Sequence, residues 1–196
     1  MKPHSHGARL PYLDDARIEA SSARAAAAQA IRARRSDAAL LNLDRMLLHS
    51  AAFAQGWNVL LGTVRRELTL DARLRELAIC AVARLTDAPY EWHQHVDEWR
   101  AAGAREDQVA VLEAAPSRWA EHSGFSLEEH LVLALTSEMT MEVNVSDDTF
   151  RRVVGQFGEC ITVELVGTIA AYNMVARFLV ALGIDASGEA PREDVQ

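Results

Sequence analysis

Apolar residues recur along this chain at steps of three and four, which is the spacing of one helical face. No segment shows the strict alternation typical of a half-buried strand. The pattern predicts helices over residues 14–35, 37–49, 51–67, 71–86, 89–103, 105–114, 126–141, 146–157 and 159–182. Ser126 and Glu129 form a capping-box pattern at one helix start, and Gly158 separates the last two helices. We therefore expect an all-α protein.

The chain of 196 residues is long enough for one domain with a substantial core, and the helical pattern predicts that this domain spans residues 15–184. Residues 1–14 contain two prolines and are expected to form an extended N-terminal arm. Residues 185–196 are polar and contain Gly188 and Pro191, so we expect a disordered tail.

Residues 70–103 hold the most informative pattern, two helices joined by a short turn. Glu76 lies on an apolar surface of the first helix, where partial desolvation would raise its pKa. In the second helix Glu91 and His95 share one face, and Trp92 lies on the adjoining face. If the two helices pack as an antiparallel pair, Glu76 and His95 come within hydrogen-bonding distance. Such a pair would form an acid/base site.

The same segment resembles the carboxymuconolactone decarboxylase family, which includes the alkyl hydroperoxidase D-like (AhpD-like) proteins. Redox members of that family carry a glutamate, a Cys-x-x-Cys pair that begins twelve residues later, and a histidine four residues after the second cysteine. Glu76 and His95 match this register, and Tyr90 lies between the two cysteine positions, as in the family. Ala88 and Glu91 stand where the cysteines would be.

The resemblance extends over about residues 9–184, and it implies an AhpD-like helical domain built around a central helix hairpin. It also implies a homo-oligomer, a trimer or a multiple of one, although dimers occur in related architectures. Apolar residues on more than one face of residues 161–182 independently favour association, because one small domain does not readily bury them all.

Acid/base catalysis without a cofactor is the chemistry that these residues favour, and the resemblance implies a lyase acting on a small lactone or keto-acid-like substrate. The decarboxylating branch of the family needs a proton donor and a group that stabilises enolate-like charge. His95 is predicted to transfer the proton, while Glu76 sets its tautomer and favours its imidazolium form. Glu91 would act as a base at the mouth of the pocket or contact His95 from one turn away. Tyr90 or Trp92 would bound an apolar pocket.

Two alternatives stay open on the sequence alone. Glu76 and His95 can form a buried structural pair without a catalytic role. The protein can also be a helical oligomer that binds a small hydrophobic ligand without turnover, which the substitution of both cysteine positions favours. Asn173, on the apolar last helix, can line the same pocket or hydrogen-bond to the backbone.

Metal and thiol chemistry fit the spacing less well. His93 and His95 lie two residues apart, so on a helix they point in different directions and cannot chelate one ion. A thiol peroxidase needs an attacking thiolate with a resolving thiol nearby. Cys80 and Cys160 are far apart in apolar patterns, and we expect both to be buried and reduced. We therefore predict no metal, no cofactor and no peroxidase activity.

The net charge of −8 opposes nucleic acid or an anionic membrane as the principal partner. Neither end of the chain shows a targeting pattern, and no apolar run approaches the length of a membrane span. We expect a cytoplasmic protein whose main partner is a small-molecule substrate.

Overall fold

The computed structural model describes residues 7–35, 39–119 and 122–189. Every regular element in these residues is helical, which confirms the all-α prediction. The α-helices are α1 (Asp15–Glu19), α2 (Ser22–Arg35), α3 (Asn42–Leu47), α4 (Ala51–Arg66), α5 (Ala72–Leu85), α6 (Pro89–Ala101), α7 (Glu106–Ala114), α8 (Leu127–Met141) and α9 (Asp147–Leu182), and a 3₁₀ turn covers Pro116–Arg118. The chain forms two compact units, one of residues 1–63 and 182–196 and the other of residues 64–181.

In the first unit, the helix predicted over residues 14–35 is divided into α1 and α2. Asp14 caps α1 by accepting a hydrogen bond from the backbone N–H of Arg17, at 2.8 Å. Ser21 accepts one from the backbone N–H of Arg24, at 3.5 Å. A serine side chain that binds the backbone in this way favours a new helix start over helix continuation. The prediction of one continuous helix is therefore wrong.

Helix α3 is shorter than the predicted helix over residues 37–49. The carboxylate of Asp44 accepts a hydrogen bond from the backbone N–H of Leu41, at 3.0 Å, and this contact fixes the helix start at Asn42. Residues 36–38, where the helix was expected to begin, lie outside the described residues.

The end of the described chain also belongs to the first unit. The side-chain amide of Asn42 donates to the carbonyls of Asp185 and Ser187, at 2.9 and 3.0 Å. Residues 185–189, which we expected to be disordered, therefore make defined contacts. The other residues of the predicted tail, 190–196, and residues 1–6 of the predicted arm lie outside the described residues.

Helix α5 forms the centre of the second unit because its segment 77–83 is apolar on every side. Asp71 caps its start by accepting hydrogen bonds from the backbone N–H groups of Arg73 and Leu74, at 2.9 and 3.2 Å. Residues 77–83 are all buried, and α5 packs against both α6 and α8. A helical segment that is apolar all round is typical of an element covered on several sides.

Helices α5 and α6 form the predicted hairpin. Pro89 occupies the first turn of α6, where its missing N–H is not needed. Arg84, near the end of α5, stacks on Trp92, near the start of α6. Glu76 lies earlier in α5 and contacts His95, which lies later in α6. The two helices therefore run in opposite directions, as the sequence predicted.

Helix α8 begins with the predicted capping box. Ser126 Oγ accepts from the backbone N–H of Glu129 at 3.2 Å, and the Glu129 carboxylate accepts from the backbone N–H of Ser126 at 2.8 Å. Arg73 and Gln108 also donate to this carboxylate, at 2.7 and 3.1 Å. The buried charge is thus compensated, and it ties the start of α8 to α5 and α7.

Helix α9 changes direction at Gly158, whose backbone angles (φ 75°, ψ 172°) are not helical. A positive φ costs glycine little, which explains the predicted break there. Within the described residues, Asp147–Leu182 is long and apolar enough to span a membrane by length and composition, so the expectation that no segment approaches that length is wrong. The core helix of a soluble protein meets the same criterion, and Leu165, Ile169 and Leu179 are buried in the fold.

Candidate active site

Glu76 on α5 and His95 on α6 form a hydrogen-bonded pair in the interior of the second unit. Glu76 Oε2 lies 2.7 Å from His95 Nδ1, and both side chains are only 6% exposed. Because an ionised carboxylate can only accept hydrogen bonds, the proton between these atoms is carried by Nδ1. The predicted proximity of the two side chains is confirmed.

The other ring nitrogen of His95 faces a guanidinium. Arg65, in the last turn of α4, places Nη2 at 3.0 Å from Nε2 of His95. Since a guanidinium N–H can only donate, Nε2 accepts this hydrogen bond and carries no proton. His95 is therefore a neutral imidazole with its proton on Nδ1. The charge of Glu76 favours the imidazolium form, whereas that of Arg65 opposes it.

Tyr172 on α9 is the second partner of Arg65. Arg65 Nε donates to the Tyr172 hydroxyl at 2.8 Å, and the Tyr172 ring meets the His95 ring edge to face, with centroids 5.0 Å apart. Burial raises the pKa of Tyr172 to about 12, although Arg65 acts in the opposite direction. The phenol is therefore neutral at physiological pH and accepts from Arg65 as an uncharged group.

Glu76 is an anion despite its burial. Burial acts to raise its pKa, as the sequence suggested, but His95, Arg75 and Arg65 favour the charged form and together hold the pKa below its usual value. Arg75 donates to Oε1 of Glu76 at 3.1 Å. The expectation of a raised pKa at Glu76 is therefore wrong, because it did not include the hydrogen bond with His95 or the charges of Arg75 and Arg65.

Glu91 lies in α6 one turn before His95, and it is 1% exposed. Neither carboxyl oxygen has a hydrogen-bond partner within the described part of the chain. Burial raises the pKa of Glu91 well above its usual value, and the charge of Arg65 only partly opposes this. An unpaired buried carboxylate would be very costly, so Glu91 holds its proton. It makes no hydrogen bond to His95, and its burial places it away from an exposed pocket mouth.

The three predicted substrate-binding residues occupy different surroundings. Tyr90 is buried, whereas Trp92 is half-buried and lies under the guanidinium of Arg84, 5.4 Å from its ring centroid. The Asn173 amide donates to Thr140 Oγ1 at 2.9 Å and to the Ile169 carbonyl at 3.0 Å. For Asn173 the hydrogen-bonding alternative is thus the one observed.

The two cysteines are free thiols in different environments. Cys80 is completely buried, and burial, together with the charges of Glu76 and Glu91, raises its pKa well above the usual value. Cys160 is exposed on α9, contrary to our expectation that both thiols are buried. A buried thiol with a raised pKa is a poor nucleophile.

A pocket of about 370 Å³ opens away from this cluster, where α5 and α8 begin, and Asp71, Arg73, Ser126 and Glu129 contribute to its lining. Asp71, Ser126 and Glu129 belong to the helix caps described above, and Arg73 pairs with Glu129. In the described ranges, no group of three or more His, Cys, Asp or Glu side chains is arranged to hold a metal ion.

Sequence reasoning did not identify Arg65 or Tyr172. A signal for Arg65 was present, since Trp57, Leu61 and Arg65 follow one another at steps of four and the first two are buried. A cation that continues an apolar helical face needs a buried partner. Tyr172 continues the apolar face of α9 and gave no signal distinguishing it from an ordinary core residue.

Residues 51–135 match the model of the carboxymuconolactone decarboxylase family. This range includes Arg65, Glu76, Glu91 and His95. No protein of curated function matches the chain significantly.

Two solved structures are similar in fold. The first is a protein of unknown function from Agrobacterium tumefaciens, with a suggested role as an antioxidant-defence protein AhpD. It matches with a TM-score of 0.65 and 20% identity, over 76% of this chain and 97% of its own. The second, an uncharacterised peroxidase-related protein from Silicibacter sp. TM1040, matches with a TM-score of 0.73 and 13% identity, over 96% of each chain. At these identities the likeness concerns the fold, which is AhpD-like; the match to the carboxymuconolactone decarboxylase family covers residues 51–135, the segment that carries the Glu76–His95 pair.

Proposed function

We propose that this protein is a cofactor-independent acid/base enzyme of the decarboxylase or lyase type, acting on a small lactone or keto-acid-like substrate. The observation that carries the proposal is the arrangement Glu76–His95–Arg65. A carboxylate holds one nitrogen of a buried imidazole at 2.7 Å, and a cation lies 3.0 Å from the other. Such an arrangement combines a positioned proton-transfer group with a donor for developing negative charge.

In the proposed reaction the bond between the substrate carbon and its carboxylate breaks, carbon dioxide leaves, and the electron pair stays on an enolate-like fragment. Arg65 stabilises the charge that develops on this fragment. His95, protonated at Nε2 when substrate is bound, gives that proton to the carbon, and Glu76 stabilises the imidazolium and keeps the ring oriented. Solvent restores the proton for the next cycle.

Glu91 has a different role in this proposal from the one that the sequence indicated. Its protonated carboxyl is an acid and not a base, and its burial keeps it uncharged beside Arg65. An anionic Glu91 would compensate the positive charge of Arg65. A neutral Glu91 leaves that charge available to bind the substrate.

The test is turnover of carboxymuconolactone and of simple β-keto acids, followed as release of carbon dioxide. His95→Gln should abolish turnover while circular dichroism stays unchanged. His93→Gln is the matched control, because His93 is exposed on the same helix and should be dispensable. Full activity in the His95 variant would contradict the proposal.

A second candidate function is binding of a small ligand without turnover. The observation that favours it is the contact of Arg65 with Nε2 of His95, which occupies the nitrogen that catalysis would use. Saturable binding of the same compounds, with no product from any of them, would support this alternative. Thiol peroxidase activity is disfavoured by the burial of Cys80.

We also propose that the protein works in the cytoplasm as a homo-oligomer, a trimer or a multiple of one, or else a dimer. Apolar side chains exposed on α9 support this, since Phe150 is 47% and Val163 is 70% exposed. Exposed apolar surface of this kind is commonly covered by another copy of the chain.

A further inference from the structure

Arg65 carries a charge that no direct contact compensates. Its two hydrogen-bond acceptors, the Tyr172 hydroxyl and Nε2 of His95, are both uncharged. Burial acts to lower the pKa of Arg65, but Tyr172 and the carboxylates of Glu76 and Glu98 outweigh it and raise the pKa, so the group stays charged. In the described residues neither carboxylate forms an ion pair with Arg65, and Glu76 lies on the far side of the His95 ring.

Part of the Arg65 residue nevertheless remains accessible to solvent. The side chain of Arg65 is half-buried by accessible surface, although burial is the largest single influence on its pKa. A cation in that position, with uncharged neighbours, is suited to bind an anion.

Glu91 adds a second, independent observation. It is 1% exposed, its protonated carboxyl has no hydrogen-bond partner among the described residues, and Arg65 is the charge that acts on it. A buried donor without an acceptor is costly, which suggests that the acceptor is supplied by something that binds. A bound anion would compensate the charge of Arg65 and would also accept a hydrogen bond from the Glu91 carboxyl.

We propose that Arg65 is the anchor for the carboxylate of a small organic anion, and that binding of this anion draws the guanidinium away from Nε2 of His95 so that His95 takes up a proton there. The inference names the substrate class of the proposed active site and rests on that site, but it does not require turnover. A carboxylate suits Arg65 because a guanidinium presents two parallel N–H donors to its two oxygens.

Proton uptake follows from the charges around the ring. With Arg65 neutralised by the anion, the nearest charge on His95 is the Glu76 carboxylate, which favours the imidazolium. The titratable and charged groups that act on this cluster are Arg65 from α4, Arg75, Glu76 and Cys80 from α5, Glu91 and Glu98 from α6, and Tyr172 from α9. Cys80, Glu91 and Tyr172 are held in their neutral forms, so His95 is the group expected to take the proton.

The experiment is isothermal titration of the full-length protein with acetate, 2-oxobutanoate and benzoate, each beside its neutral amide. Titrations in two buffers of different ionisation enthalpy report the protons taken up on binding. At least one carboxylate should bind saturably with uptake of up to one proton, and its amide should not bind. Arg65→Gln should weaken that binding about tenfold or more. Arg66→Gln, an exposed arginine beside it, is the matched control and should bind as wild type.

His95→Gln separates the two parts of the inference, because it should keep carboxylate binding and lose the proton uptake. Arg65→Lys protects the test against a folding defect in Arg65→Gln, since it keeps the charge and should bind better than the glutamine variant. Equal carboxylate affinity in wild type and Arg65→Gln, or binding without proton uptake, would overturn the inference. Carboxylate binding with proton uptake but without turnover would contradict only the proposed function. Turnover with an unchanged KM in Arg65→Gln would contradict only the role of Arg65 as the carboxylate anchor.

Discussion

Arg65 Nη2 lies 3.0 Å from Nε2 of His95, on the side of the ring opposite Glu76, so the imidazole is held between a cation and an anion. The two contacts act on its protonation in opposite directions. Any change in the charge of Arg65 is therefore passed directly to His95. This contact is the one through which the proposed binding of a carboxylate would affect proton transfer.

Glu76→Gln should lower the free energy of unfolding and should make that free energy depend less on pH below about pH 4.5. The pKa of Glu76 is below its reference value of 4.5, so the folded state binds this proton more weakly than the unfolded chain does. Its stabilisation is therefore fully present above about pH 4.5 and is lost as the pH falls through the lower folded pKa. We expect a loss of about 1–3 kcal/mol at pH 7, from urea denaturation.

The loss caused by Glu76→Gln should shrink on acidification, and Glu113→Gln, at an exposed carboxylate, serves as the control. A difference between Glu76→Gln and wild type that stays constant from pH 7 to pH 3 would show that Glu76 is not ionised as described.

Glu91→Leu should stabilise the protein, and the gain should increase with pH. The pKa of Glu91 is raised by burial, so the folded state binds this proton more tightly than the unfolded chain. Stability is then lost as the pH rises from the unfolded pKa toward the raised folded one. At pH 7 we expect a gain of about 1–3 kcal/mol, because an unpaired buried carboxyl is removed. Destabilisation at every pH would mean that Glu91 has a partner in solution.

Hydroperoxide reduction should be absent, because Cys80 is buried with a raised pKa and Cys160 lies elsewhere on α9. The measurement compares wild type with a Cys80→Ser, Cys160→Ser double variant. Thiol-specific labelling of the native protein should modify Cys160 and leave Cys80 unmodified. Reduction that is present in wild type and lost in the double variant would contradict this prediction.

The protein should sediment as an oligomer at micromolar concentration. Val163→Glu, which places a charge on the exposed apolar face of α9, should weaken the assembly without changing the helical content. A wild-type monomer in sedimentation equilibrium would contradict the prediction. If Val163→Glu leaves the oligomer intact, the interface lies on another face.

The hairpin and the pairing of Glu76 with His95 could be predicted because they depend on local signals. Helical spacing, the capping residue Asp71 and Pro89 at a helix start fix two neighbouring helices, and a short turn leaves little freedom in how they pack. The spacing of the glutamate and the histidine in the family motif identified Glu76 and His95 as the pair.

The charge state of the site could not be predicted, because it depends on residues that are distant in sequence. Arg65 reaches His95 from α4 and Tyr172 reaches Arg65 from α9, across separations of 30 and 107 residues. Glu91 reads in the sequence as a surface acid beside a histidine, and only the fold shows that it is buried without a partner. The division between α1 and α2 was not predicted, because the alanine-rich residues around Ser21 favour one continuous helix.

The most direct test of the account is the nitrogen NMR spectrum of the His95 ring in wild type, Glu76→Gln and Arg65→Gln. In wild type at neutral pH we predict a protonated Nδ1 and an unprotonated Nε2. On titration, Arg65→Gln should protonate at higher pH than wild type, and Glu76→Gln at lower pH, because the first removes a cation and the second an anion. A proton on Nε2 in the wild-type neutral ring, or a titration that neither variant moves, would contradict the account.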